Sequence, residues 1–370
     1  MPTYTTGDNN YGVSSFIVDQ TAGNGNYTTI ASALAAASAG QTIFIRPGTY
    51  TENLTLKAGV NIVAFLADAI TPNVTIVGKA SFTTAGTVSM SGVRLQTNSD
   101  FFLAVTGSAA SIVNLKNCYL NCSNNTGISF TSSSANAAIN CYQCNGDIGV
   151  AGATLFSHSS AGSLTIFGSS FTNSAGSTTA STASAGVLTI DKSSLNNVIT
   201  TSGTNAFALY NSFMGLLGST NLTIGGSGLQ TLQNSTISSG TASAISISSG
   251  CNINNCIVDS TNTNAITGAG QLVYTEIAYS NSSSTQNVTT VTRRTLDGAQ
   301  YRGANTNITP ATGMLGEQVR STVSQASAIT LVTTVAVNLT SISLTAGVWD
   351  VSCVAAFNGA VTGTTLQASI

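Results

Sequence analysis

Apolar residues recur along positions 65–285 at two spacings at once. Over three to five residues they alternate with Ser, Thr or Asn, as in Ile128-Ser129-Phe130 and Ile245-Ser246-Ile247. That is the period of a strand with one buried face. Over a longer distance one pattern returns: apolar, any, apolar, three residues of Gly, Asn, Ser or Cys character, any, apolar. Leu164-Thr165-Ile166-Phe167-Gly168-Ser169-Ser170-Phe171 and Leu188-Thr189-Ile190-Asp191-Lys192-Ser193-Ser194-Leu195 are two clear copies. Val113 to Leu120, Phe207 to Met214, Cys251 to Val258 and Leu272 to Tyr279 follow it more loosely. Anchored on the final apolar position, the copies fall at Leu95, Leu120, Cys144, Phe171, Leu195, Met214, Ile237, Val258 and Tyr279. Their intervals run from 19 to 27 residues and average about 23.

Two or three short strands in a coil of this length leave no room for helices. Coils stacked at roughly 4.8 Å make parallel sheets wound around one core. Equivalent side chains then lie above one another, which favours ladders of Asn, Ser and Thr and disfavours stacked like charges. The pattern predicts an all-β parallel solenoid. The competing arrangement, an antiparallel sandwich, has strands every 8–12 residues and no longer period.

The start of the solenoid has its own signature. Ile30, Leu34 and Ala37 have helical spacing in an Ala-rich stretch, with Thr28 and Thr29 as N-cap candidates and Gly40 as the stop. A strand Ile43-Phe44-Ile45, a Pro47-Gly48 turn and Leu54-Thr55-Leu56 follow. A helix here covers the bare end of the core. Residues 27–56, YTTIASALAAASAGQTIFIRPGTYTENLTL, resemble the opening of pectate-lyase-like right-handed parallel β-helix proteins. Pro47, Gly48, Thr49, Tyr50, Glu52, Asn53 and Leu54 carry the match. The resemblance implies that fold over about residues 15–285. It does not imply one activity, because the superfamily contains lyases, hydrolases, esterases and non-catalytic fibres.

From Ser280 the repeat stops. Residues 280–313 are polar and turn-rich and hold Arg293, Arg294 and Arg302; Arg293-Arg294 reads as a solvated linker or a subunit contact. Alternating runs over Ile329–Val337 and Leu339–Leu344, then Gly347 to Ser352, predict antiparallel strands with turns at Ala346-Gly347 and Asn358-Gly359. Residues 338–359, NLTSISLTAGVWDVSCVAAFNG, are similar to a C-terminal β-domain of phage and prophage tail-fibre-like proteins, here expected to be incomplete at Ile370. The expected division is an N-terminal segment over 1–26, capping helix and first coil over 27–64, β-helix over 65–285, linker over 286–313 and C-terminal β-domain over 314–370.

Charge narrows the functional classes. Only 6% of the 370 residues are charged, with 10 Lys and Arg against 12 Asp and Glu, where roughly 25% is usual. No basic excess exists to neutralise phosphates, so no nucleic-acid partner is expected. With 42% apolar residues the chain is not of disordered composition. Met1-Pro2-Thr3-Tyr4 leads into a polar stretch, so no secretory signal is read. The uncharged run from Ser193 to Val258 is interrupted by polar residues every few positions, which argues against membrane insertion. A soluble chain is expected.

No catalytic, cofactor-binding or metal-binding residue is assigned. Cys118, Cys122, Cys141 and Cys144 have zinc-like CxxxC and CxxC spacing. Four sulfurs on neighbouring coils equally describe small apolar fillers, or one disulfide between coils. Fillers are favoured, because Cys251 and Cys256 recur at repeat positions with no second pair nearby. Glycosidase carboxylates sit roughly 5–9.5 Å apart. Asp147 and Asp259 stand five coils apart, roughly 24 Å at the usual strand spacing. Asp191 has Lys192 beside it, and Asp100 adds no partner. Asp259 and Glu276 share neighbouring coils but differ by four positions around the circumference. The same scatter argues against a calcium-dependent lyase and a pectin esterase. His158, the one histidine, has no acid within ten residues and reads as an exposed loop residue, with Asp191 one coil away as its only conceivable orienting acid. No phosphate-cradling glycine motif stands between strand and helix, and the Asn26 triplet reads as a chance glycosylation match.

The resemblances point to a non-catalytic structural or adhesive fibre, a phage tail-fibre or tail-spike component. Such a chain is expected in the virion or at a cell surface, self-associated as a homotrimer, and presenting a tip to host-surface polysaccharide. The alternatives are a polysaccharide depolymerase of a tail spike, and a bacterial surface adhesin or filament subunit.

Overall fold

The computed structural model describes residues 15–293, except 66–71, 97–99, 124–125, 174–177, 183–184, 197, 217–221, 241, 275 and 280–284, together with Val323 and Ser327. The chain divides into two compact units, Met1–Leu296 and Asp297–Ile370. The β-domain expected over 314–370, apart from Val323 and Ser327, and the linker beyond Arg293 lie outside the described residues. Residues 286–293 of the expected linker instead continue the solenoid in strand Thr285–Arg293, paired in parallel with Asn264–Tyr274.

Alternation of apolar and polar residues gives each strand one inward and one outward row, as in Ser111–Lys116 and Val187–Asp191. A rung consists of three such strands. In one rung these are Ser111–Lys116, Tyr119–Cys122 and Thr126–Phe130, forming its first, second and third faces. Each pairs in parallel with its counterparts in the neighbouring rungs, so a right-handed β-helix winds through about 10 turns of about 24 residues. The third and first faces join in one sheet where strand Asn264–Tyr274 runs through both. Among the described residues the core is one continuous apolar cluster running from Val18 to Leu272.

The corner between the first and second faces is turned by a single left-handed residue. Asn117, Gln143, Lys192, Asn211, Asn234 and Asn255 occupy it with φ between 47° and 52°, and Gly168 with φ 59°. Asn and Gly enter this left-handed conformation at least cost, which is why they dominate the position. The next residue points inward and forms a ladder: Cys118, Cys144, Ser169, Ser193, Ser212, Ser235 and Cys256. The amides of Cys144, Ser169, Ser193 and Ser212 each donate to the serine hydroxyl one rung further on, at 3.1–3.2 Å. Each of the four hydroxyls donates in turn to the carbonyl two residues before it, at 2.6–3.0 Å. Cys118, Cys144 and Cys256 direct their thiols at the same kind of carbonyl, at 3.4–3.6 Å.

Register corrects one anchor. The inward column of the second face runs Leu95, Leu120, Gly146, Phe171, Leu195, Met214, Ile237, Val258 and Tyr279, so Gly146 stands where Cys144 was expected. A Cβ at Gly146 would lie 2.8 Å from the Phe171 ring, which fills the space of two rungs. Cys144 belongs to the corner ladder instead.

The helix Ile30–Ala36 forms as the Ala-rich spacing predicts, with Ile30, Ala33 and Leu34 buried. Thr29 caps it, accepting from the Ser32 amide. The Glu52 carboxylate accepts from the amides of Ile30 and Ala31 at 2.9 and 2.8 Å. These are orphan donors of a first turn, and an anion there also meets the positive helix end. The helix covers strands Ser15–Val18, Thr42–Ile45 and Leu54–Thr55. Ser15–Val18 is a strand the sequence pattern did not reveal, paired in parallel with Thr42–Ile45.

Candidate functional site

The outward row next to the tight corner gathers the chemistry of the first face. Lys116, Tyr142, Phe167, Asp191 and Tyr210 follow one another on five consecutive rungs, each the register partner of the next. Gln233 and Asn254 continue the row. Lys116 and Tyr142 are exposed, and with Asn114 they line a surface depression of about 430 Å³. The Tyr142 and Phe167 rings lie 6.4 Å apart at 58°, and Lys192 Nζ sits 5.3 Å from the centre of the Phe167 ring. Around the corner, Arg94 lies over the Tyr119 ring at 4.9 Å.

Hydrogen bonds between rungs stiffen this edge. Asn140 Nδ2 donates to Asn114 Oδ1 at 2.9 Å. Along the corner, Asn255 donates to Asn234, Asn234 to Asn211 and Asn211 to the Asp191 carboxylate, at 2.9–3.3 Å. Asp191 is thereby held in place on an outer surface. The row escaped the sequence reading because its members share no residue type. Aligning the repeat copies on the residue before each corner would have found it.

The remaining acids stay apart. With Gly146 in the anchor column, Asp147 and Asp259 fall in one outward row of the second face, five rungs from each other. Asp259 accepts from Ser238 Oγ at 3.2 Å, and Asp100 pairs with Lys79 at 2.9 Å. Glu276 is placed by the register opposite Asn255, four residues from Asp259. Among the described residues no three His, Cys, Asp or Glu side chains converge as metal ligands.

The four cysteines of zinc-like spacing occupy three different inward columns. Cys118 and Cys144 stand in the corner ladder, Cys141 in the core column of Leu115 and Ile166, and Cys122 in that of Ile148. Burial pushes the thiols of Cys118 and Cys251 up, which keeps them protonated and unreactive.

His158 is not an exposed loop residue. It ends the third-face strand Thr154–His158 with its ring in the core, 2% exposed and stacked on Phe130 at 5.0 Å and 7°. Its Nε2 lies 3.2 Å from the Gly162 carbonyl. Desolvation lowers its pKa to about 4, against a weaker raising effect of that hydrogen bond. Asp191 faces outward on the first face, so the two do not form a dyad.

No curated protein matches the chain in sequence. Among solved structures it is similar to the pectin methylesterase from Aspergillus niger, at 11% identity and a TM-score of 0.36, over 76% of this chain and 90% of that one. It is similar to the carrot pectin methylesterase at 11% identity and a TM-score of 0.39, over 80% and 91%. A PL6-family alginate lyase matches at 11% identity and a TM-score of 0.34, over 76% of this chain and 39% of the lyase. At such identity the likeness is one of fold. The expectation that the chain is not an enzyme is corrected to this extent: the solved structures it is similar to are enzymes by name. That expectation weighed paired carboxylates, calcium ligands and a histidine triad, and did not consider the row from Lys116 to Tyr210, which carries an amine, two phenols and a carboxylate. A profile of the family described as "Protein of unknown function (DUF1565)" matches residues 18–212, more than half of the 370 residues, and the chain belongs to that family.

Proposed function

We propose that this solenoid engages polysaccharide along the row Lys116, Tyr142, Phe167, Asp191 and Tyr210, as part of a fibre or tail spike facing a bacterial surface. The observation that carries the reading is the row itself: five successive rungs place a cation, two aromatic rings, a carboxylate and a phenol in one line. Aromatic faces carry partial negative charge and accept the polarised C–H groups of a pyranose. Lys116, Lys192 and Arg94 near one stretch of the corner favour a glycan bearing acid groups. The tail-spike assignment draws on the resemblance of residues 338–359, and a homotrimer would present three such rows, so that weak contacts add through effective concentration.

The test is binding of purified chain to a panel of capsular polysaccharides and lipopolysaccharides, with reducing ends measured in parallel. Tyr142→Ala combined with Phe167→Ala is expected to weaken binding about tenfold, the sum of two stacking contacts. Sustained release of reducing ends, lost in Asp191→Asn, makes the same row a depolymerase site. Unchanged affinity in the double variant, or no glycan retained by the parent chain, removes the proposal.

A further inference from the structure

One inward column of the third face changes character halfway along the solenoid. It runs Phe82, Val105 and Phe130, then His158, Thr182 and Thr201, then Ile224 and Ile247. The polar members are as deeply buried as the apolar ones, and Asn205, just beyond Thr201, is 0% exposed. Part of this seam is fully satisfied. Gln230 Nε2 donates to the Asn205 carbonyl at 2.6 Å and to the Gly228 carbonyl at 3.0 Å. Thr201 Oγ1 accepts from the amides of Gly225 and Gly226 and lies 3.3 Å from Gln230 Oε1.

Between those ends partners run out. Seven buried side-chain polar atoms among the described residues lack a hydrogen-bond partner, and five of them lie on three consecutive rungs. They are His158 Nδ1, Thr179 Oγ1, Thr182 Oγ1, and Asn205 Oδ1 and Nδ2. Scattered packing faults would not cluster so, and buried polar groups are satisfied by protein or by ordered water as a rule. The set mixes acceptors with donors. His158 Nδ1 accepts when Nε2 donates to Gly162, Asn205 offers one of each, and a threonine hydroxyl does both. Among the described residues no carboxylate is buried at the seam. Water, which gives two hydrogen bonds and takes two, fits this donor set; a cation would meet an amide N–H and no anion.

We infer that the solenoid interior holds an enclosed file of ordered water at this seam, bridging His158, Thr182 and Asn205 across neighbouring rungs. The test is a high-resolution crystal structure of the full chain, with a rubidium soak, and water-proton transfer to the His158 ring measured by NMR. Expected are density peaks within hydrogen-bond distance of His158 Nδ1 and Thr182 Oγ1, no anomalous signal from rubidium, and a long-lived water contact to the ring. Thr182→Val is expected to remove that contact at unchanged strand content, and Thr182→Ser, which keeps the hydroxyl, to retain it. A seam in which Asn205 turns directly onto Thr182 with no density between would overturn the inference. A rubidium peak would overturn it in favour of an ion site.

Discussion

His158 sits in the core as a neutral ring, and the groups packed on it are Phe130, Thr182 and the backbone at Gly162 and Gly186, none of them charged. Its ordinary pKa of 6.5 falls to about 4 in the fold. The unfolded chain therefore takes up the proton first as the pH drops. Stability is complete above about 6.5 and drains as the pH falls toward 4, by up to about 3 kcal/mol. Urea unfolding at pH 7 and at pH 4.5 should show the loss, and His158→Gln should flatten it. Equal pH dependence in both proteins would mean that acid acts elsewhere. Flanked by Ser157, Ser159 and Ser160, this histidine looks like loop, and nothing local betrays that its column continues through Thr182 and Thr201.

Corners and caps are the elements that the sequence wrote most plainly. In Ile166-Phe167-Gly168-Ser169-Ser170-Phe171 the two flanking apolar residues are core positions on successive faces, Gly168 makes the left-handed step and Ser169 enters the ladder. The cysteines that resemble a zinc motif are thus partly serine substitutes, Cys144 among them. Ser193→Ala removes the acceptor for the Ser169 amide and one of two donors to the Asp191 carbonyl, which keeps the Gly168 amide at 3.0 Å. A cost of about 1–3 kcal/mol is expected, against a near-neutral Cys144→Ser, both read from denaturant midpoints. Should Ser193→Ala match the parent chain, the ladder is packing rather than hydrogen bonding. The PGTYTENL segment is structural in the same sense: Tyr50 OH donates to the Arg46 carbonyl at 2.9 Å, and Glu52 caps the helix. Its resemblance to a superfamily opening therefore identified architecture and carried no reactive group.

At the scale of the whole molecule, repetition made the winding legible while the outer surface stayed opaque. The core columns are apolar in nearly every rung and so stand out; the row from Lys116 to Tyr210 differs in every rung and does not. Gly146 hid for the opposite reason, since a residue without a side chain cannot announce a core position that Phe171 fills from the next rung. Ser15–Val18 was hidden by a polar loop and the helix between it and its partner strand. Charges hold little of this together. Among the described residues only Arg46–Asp19 and Lys79–Asp100 pair, both at least partly exposed. Raising sodium chloride from low concentration to 0.5 M should therefore move the thermal midpoint by no more than about 2 °C. A larger fall would show that charge pairs hold more of the fold than these two contacts account for.

Because the seven rungs that turn between Asn117 and Asn255 repeat one left-handed step, and four of them offer a serine hydroxyl to the amide of the preceding rung, no turn among them depends on how many others exist. Length is then an independent variable. Inserting or deleting a full circuit moves whatever the far end carries by one strand spacing, about 4.8 Å, and changes no interior contact in kind, so lineages of such chains can tune their reach like the divisions of a measuring stick.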